Sequence, residues 1–185
     1  KAYQLRHEWK LEPALMQELN KKYGPIDWGD PDKHLPLDWR HADTHAMYWA
    51  VKGLRKVGIK QEKQSDEMTY SIAELNTDRT LNAALQNLFR NGKIYIYRSK
   101  SEGSEESAPE VAKDIYLRQD LRMFDSYNQH LMKSIKKYSD PNKQGPGTHE
   151  IGHRHMLENA LFSFYQAGHK KQARTLLKSR NCKTP

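Results

Sequence analysis

Gly168 constrains this chain more than any other residue. It stands between two segments of helical period, about Thr148 to Ala167 and His169 to Arg180, with no other residue left to form a loop. Two helices joined so tightly must turn back on each other at once, and glycine enters the left-handed region without steric cost. Around it Phe164, Gly168, Ala173 and Leu177 follow at intervals of four, five and four. Small residues at 168 and 173 let two helix axes approach, and Phe164 and Leu177 are expected to fill the gap between them. The spacing predicts an antiparallel helical hairpin.

The rest of the chain is punctuated in the same way. Pro13 suits a first helical turn and Gly24-Pro25 ends it, so a helix is predicted over Pro13–Tyr23, with Leu15, Met16 and Leu19 on one side. Asp43 or Thr44 is expected to cap a second, His45–Val57, closed by Gly58, with Met47, Tyr48, Val51 and Leu54 inward. Asn76 or Thr77 is expected to cap a third, running through Arg90 and ended by Asn91-Gly92, with Leu81, Leu85, Leu88 and Phe89 inward. Pro109 opens the longest helical pattern, out to about Tyr138, whose buried side reads Ile115, Leu121, Phe124, Leu131 and Ile135. A helix of that length is expected to bend or break.

One segment alternates as a strand: Lys93–Arg98, with Ile94 and Ile96 against Tyr95 and Tyr97, for which Glu67–Ile72 is the candidate partner. Between Gly24 and Arg40, Pro25-Ile26-Asp27-Trp28 is echoed by Pro36-Leu37-Asp38-Trp39. This reads as a loop whose two tryptophans tuck onto the body. Residues 99–108 are almost free of apolar side chains and read as a mobile loop, and Asp140 to Gly147 as a turn-rich connection. The fold class is therefore mainly α: antiparallel helical hairpins with at most a short β-ribbon. The 185 residues suit a single helical domain over 1–185, and a start at Lys1 reads as a processed chain or a piece of a longer one.

Charge and cysteine content bear on partners and setting. Lys and Arg total 31 against 23 Asp and Glu, a formal charge of +8, which favours anionic partners such as nucleic acid or an acidic surface. Cys182 is the single cysteine and excludes an internal disulfide or a paired-cysteine metal site. One thiol suits a reducing, cytoplasmic setting, with export or anchoring through segments outside this sequence left open. No apolar run approaches the ~20 residues that cross a bilayer.

The C-terminal spacing of Phe164, Gly168, Ala173 and Leu177 resembles that of tetratricopeptide-type hairpins, and a weaker version surrounds Trp49, Gly53 and Gly58. Tyr23-Gly24-Pro25, Asp38-Trp39-Arg40 with His45 to Ala50, and Leu121 to Asp125 also resemble segments of an uncharacterised family of larger bacterial proteins. In that family a tetratricopeptide-like hairpin follows near the C-terminus. The resemblance implies a helical fold over most of the chain and no known activity.

His149-Glu150-Ile151-Gly152-His153 matches HExxH, in which two histidines one turn apart hold zinc and the glutamate activates a water. Its surroundings do not complete such a site. Positions 156 and 159 are Met156 and Asn159 where an extended motif needs Gly and His, nothing acidic follows Glu158, and His155 points about 200° away. The alternative is a helix start capped by Thr148 with Glu150 in the first turn. His41 and His45 are a weaker pair of the same kind. No GxSxG, GxGxxG or P-loop occurs, and no cofactor is implied. The remaining candidates are Lys170, Lys171, Arg174 and Lys178, a cationic stripe in a segment, His169 to Pro185, that holds no acidic residue. The expected function is a non-enzymatic interaction or scaffold module with a protein partner. An anion-binding module acting through the basic helix and a zinc-dependent hydrolase are the alternatives.

Overall fold

The computed structural model describes residues 2–61, 70–98, 113–138 and 147–181. The elements are α1 (Ala2–His7), α2 (Pro13–Tyr23), β1 (Ile26–Asp27), β2 (Asp30–His34), α3 (Ala42–Gln61), α4 (Ile72–Asn91), β3 (Lys93–Arg98), β4 (Lys113–Arg118), a 3-10 turn (Leu121–Met123), α5 (Phe124–Tyr138), α6 (Thr148–Gln166) and α7 (Lys170–Asn181). The fold is mainly α, with two antiparallel two-stranded ribbons, β1–β2 and β3–β4. The mobile-loop expectation for 99–108, most of the 140–147 connection and Cys182 lie outside the described residues.

One hydrophobic cluster joins α2, α3, α4, α5, α6 and α7. Leu11, Leu19, Met47, Tyr48, Leu81, Leu85, Phe89, Met123 and Met156 are all but fully buried at its centre. Each contributes about 1.5–3 kcal/mol through the apolar area it removes from water. The buried Tyr48 hydroxyl accepts the Glu12 backbone N–H at 2.8 Å, which ties the start of α2 to α3.

Several boundaries differ from expectation for local reasons. The α3 helix begins at Ala42 and continues through Gly58 to Gln61. Thr44 is not its cap: the side chain is buried inside the first turn and donates to the Asp38 carbonyl at 2.9 Å. The α4 cap is Ser71, whose hydroxyl accepts the Glu74 N–H at 3.1 Å, so this helix starts four residues before Asn76. Among the described residues the partner of β3 is β4; of the expected partner Glu67–Ile72, Ser71 and Ile72 belong to the start of α4 and residues 67–69 lie outside the described residues. Of the long helix predicted from Pro109, residues 109–112 lie outside the described residues and the rest is a strand, a 3-10 turn and then α5, with Ile115 64% exposed where burial was expected. Of the second tetratricopeptide-like spacing, Trp49 is 46% exposed, whereas Gly53 lies against α4, where a Cβ would stand 3.3 Å from Thr77 Cγ2. Asp120 closes the base of the β3–β4 ribbon: its N–H donates to the Phe89 carbonyl at 3.0 Å and its carboxylate caps the 3-10 turn.

Candidate functional site

The C-terminal hairpin forms, with Gly168 serving it through its backbone angle and not through its small size. Gly168 stands at φ +84°, and the turn is closed by Gly168 N–H to Tyr165 O at 3.0 Å and His169 N–H to Phe164 O at 2.8 Å. Ala173 and Phe164 are buried, with the Phe164 ring edge-on to Phe124 at 5.6 Å. Leu177 does not fill the gap: it is 43% exposed, and Leu176 packs against the core instead.

Beside this hairpin the β1–β2 ribbon raises a second wall. Trp28 is not tucked onto the body; it is 50% exposed, and its ring meets the His169 imidazole edge-on at 4.4 Å. Trp39 is partly buried and donates its indole N–H to Asn20 Oδ1 at 3.1 Å. Between Trp28 and α7 lies a groove of about 530 Å³. Ile26, Trp28, Phe124, Phe164 and Leu176 supply apolar walls, and Lys171 and Asp125 the charged ones.

The four cationic candidates do not all line this groove. Lys171 lines the groove, whereas Lys170, Arg174 and Lys178 are exposed and do not line it. None of the four forms an ion pair among the described residues.

The HExxH residues are placed by other demands. Gly147, not Thr148, is the N-cap of α6, and the Glu150 carboxylate accepts the Gly147 N–H at 2.6 Å. His153 is buried with Nε2 2.8 Å from Asn128 Oδ1. His149 stacks on Tyr138 at 5.6 Å, and its buried Nε2 has no hydrogen-bond partner among the described residues. Among the described residues no group of three or more His, Cys, Asp or Glu side chains is placed to hold a metal ion. His41 is equally committed, with Nδ1 accepting the Asp43 N–H and Nε2 3.1 Å from Asn91 O.

A buried polar cluster between α4, α5 and α6 escaped sequence reasoning. Asp78 accepts from Ser134 Oγ at 2.5 Å and from Asn82 Nδ2 at 3.1 Å. His130 Nε2 lies 3.3 Å from the other carboxylate oxygen, close enough for attraction but off the hydrogen-bonding direction. Burial alone would raise the Asp78 pKa; His130 and Ser134 reverse the sign and hold it below the usual carboxylate range. Burial lowers the His149 pKa against the opposing pull of Asp78. Nearby, Glu74 pairs with Lys137 through one oxygen, and its other, buried oxygen has no partner among the described residues. The signal was present in sequence, since Asp78 shares the inward face of α4 with Leu81 and Leu85, three and seven residues on.

No family model, curated protein or solved structure matches this chain. Among the described residues no helix is long and apolar enough to cross a membrane.

Proposed function

We propose that this chain is a non-enzymatic interaction module whose groove between the β1–β2 ribbon and α7 takes an extended acidic peptide of a protein partner. The observation that carries the reading is an open apolar groove with a lysine at its wall that forms no ion pair among the described residues. An exposed Trp28 on one side and Leu176 with Phe164 on the other can enclose an aromatic or aliphatic anchor. Lys171 beside them suits a carboxylate next to that anchor, and Lys170, Arg174 and Lys178 on the same helix favour approach of an acidic chain. The tetratricopeptide-like spacing around Gly168 supports the same reading, because such hairpins serve as partner surfaces.

The buried cluster around Asp78 supports a structural role and not a catalytic one. Its carboxylate, Ser134 and Asn82 are spent on one another between helices. The basic-helix alternative shares the unpaired stripe as support. For the hydrolase alternative, His153 facing Asn128 and His149 facing Tyr138 speak against a shared ligand site.

The test is fluorescence anisotropy with labelled peptides that carry Phe or Leu between Asp and Glu residues. Wild type binds at micromolar concentrations. Lys171→Glu and Trp28→Ala each weaken binding at least tenfold, whereas Lys52→Glu, outside the groove, does not. Equal binding by the Lys171→Glu variant, or no binding to wild type at millimolar peptide, overturns the proposal.

A further inference from the structure

The β3–β4 ribbon presents a second surface of different chemistry. Residues directly opposed in an antiparallel pair share a face. Lys93 opposite Arg118, Tyr95 opposite Tyr116 and Tyr97 opposite Asp114 therefore make one face; Ile94 opposite Leu117 and Ile96 opposite Ile115 make the other. The tyrosines are open to solvent: Tyr95 is 40% exposed, and Tyr97 and Tyr116 are each 51% exposed. They form an ordered array. Tyr95 and Tyr97 lie nearly parallel, 16° apart with centroids at 6.5 Å, and Tyr116 stands edge-on to Tyr97 at 5.5 Å. The Arg118 guanidinium lies 5.6 Å from the Tyr95 ring centre.

This face runs into a cleft of about 630 Å³ lined by Tyr95, Lys93, Trp39 and Arg122. Two carboxylates also line that cleft, Asp38 and Asp120. Both are neutralised by neighbouring arginines, Asp38 by Arg40 at 2.6 Å and Asp120 by Arg122 at 2.8 Å.

We propose that the tyrosine face of this ribbon binds single-stranded nucleic acid. Exposed rings set side by side with a cation next to them are the two components of a sequence-tolerant strand-binding surface, in which bases stack on aromatics and phosphates meet basic groups. Tyr97 and Tyr116 offer stacking faces, Arg118 is itself a flat cation on which a base stacks, and Lys93 lies on the same face for the backbone. A duplex hides its base faces and gains nothing from such rings. The overall charge of +8 adds the long-range attraction that a polyanion needs.

The experiment uses the whole chain and fluorescein-labelled twelve-nucleotide oligo-dT and oligo-U, followed by anisotropy at low salt. Parallel arms use a duplex of equal length, heparin as competitor, and vesicles of phosphatidylserine in phosphatidylcholine. Both single strands are expected to bind more tightly than the duplex. Each of Tyr97→Ala and Tyr116→Ala is expected to weaken binding about tenfold, the loss of one stacked base. Arg118→Ala lowers the slope of log affinity against log salt by about one. These side chains are exposed, so melting temperatures of the variants should match wild type, which separates lost binding from lost folding. Three results would overturn the proposal: no single-strand binding by wild type at low salt, tyrosine variants that bind as wild type does, or vesicle binding that oligonucleotides do not compete. If Lys170→Ala with Arg174→Ala abolishes binding while the tyrosine variants retain it, the basic helix is the surface and the ribbon assignment is wrong.

Discussion

At position 168 the backbone occupies a region that only glycine enters freely, yet a Cβ built there would meet nothing within 4 Å. Any substitution therefore costs dihedral strain, about 1–3 kcal/mol, and not crowding. Gly168→Ala and Gly168→Leu should lower the melting temperature by similar amounts and Gly168→Asn by less; a loss that grows with side-chain size would contradict this. The His149 pKa is lowered by burial, so the unfolded chain binds that proton more readily than the folded one. Folding stability should then fall as pH drops below about 6.5, the ordinary histidine value, toward the lower folded value. His149→Phe retains a ring against Tyr138 and removes the titration, so urea unfolding between pH 7 and 5.5 should show a shallower slope for the variant; an unchanged slope would sink the assignment. Asp78 behaves in the same direction at lower pH. Its depressed pKa contributes stability above about 3.9 that is lost as pH falls through the folded value. Ser134→Ala removes one donor from this buried carboxylate and should cost about 1–3 kcal/mol in urea while moving the acid transition to higher pH.

At the scale of elements, what could be read in the sequence follows from how each boundary is made. The bounds of α2 were legible because Pro13 and Gly24-Pro25 impose them locally. So was the turn at Gly168, where one residue must reverse the chain. The starts of α3 and α4 were not, because several residues could cap each and tertiary contacts chose among them: Thr44 turns inward to Asp38, and Ser71 caps instead of Asn76. The β4 strand was missed because Ile115-Tyr116-Leu117 is a continuous apolar run that fits helix and strand alike, and only its pairing with β3 decides. Likewise β2 contains Asp30-Pro31-Asp32, poor strand formers; the ribbon pairs only Asp30 with Asp27 and His34 with Ile26, with an irregularity between. The groove was half legible: Lys171, Phe164 and the hairpin were predicted, but Trp28 as its far wall depends on how a loop-like segment folds back onto His169. Gly92 links α4 to β3, and a Cβ there would stand 2.1 Å from the Leu88 carbonyl oxygen. Gly92→Ala should therefore displace the ribbon and cost about 1–3 kcal/mol, read as a lower urea midpoint; a neutral result would mean that the link is looser than described.

For the whole molecule, a charge of +8 is distributed so that the groove-side helix carries lysines and an arginine without ion pairs among the described residues, while the buried carboxylates of Asp120 and Glu74 are matched by Arg122 and Lys137. Acidic-peptide affinity should accordingly fall as salt rises, with most of the loss between about 50 and 300 mM, on the order expected for screening of exposed charge. The apolar anchor should keep residual binding at high salt, which a purely electrostatic surface would not. The most direct test of the groove is a titration of the ¹⁵N-labelled chain with an acidic, phenylalanine-anchored peptide, followed by amide and indole chemical shifts. The account predicts shifts concentrated at Trp28, Lys171, Gln172 and Thr175, saturating together. Saturable binding whose shifts centre instead on the outer residues Lys170, Arg174 and Lys178, with Trp28 unmoved, would contradict it.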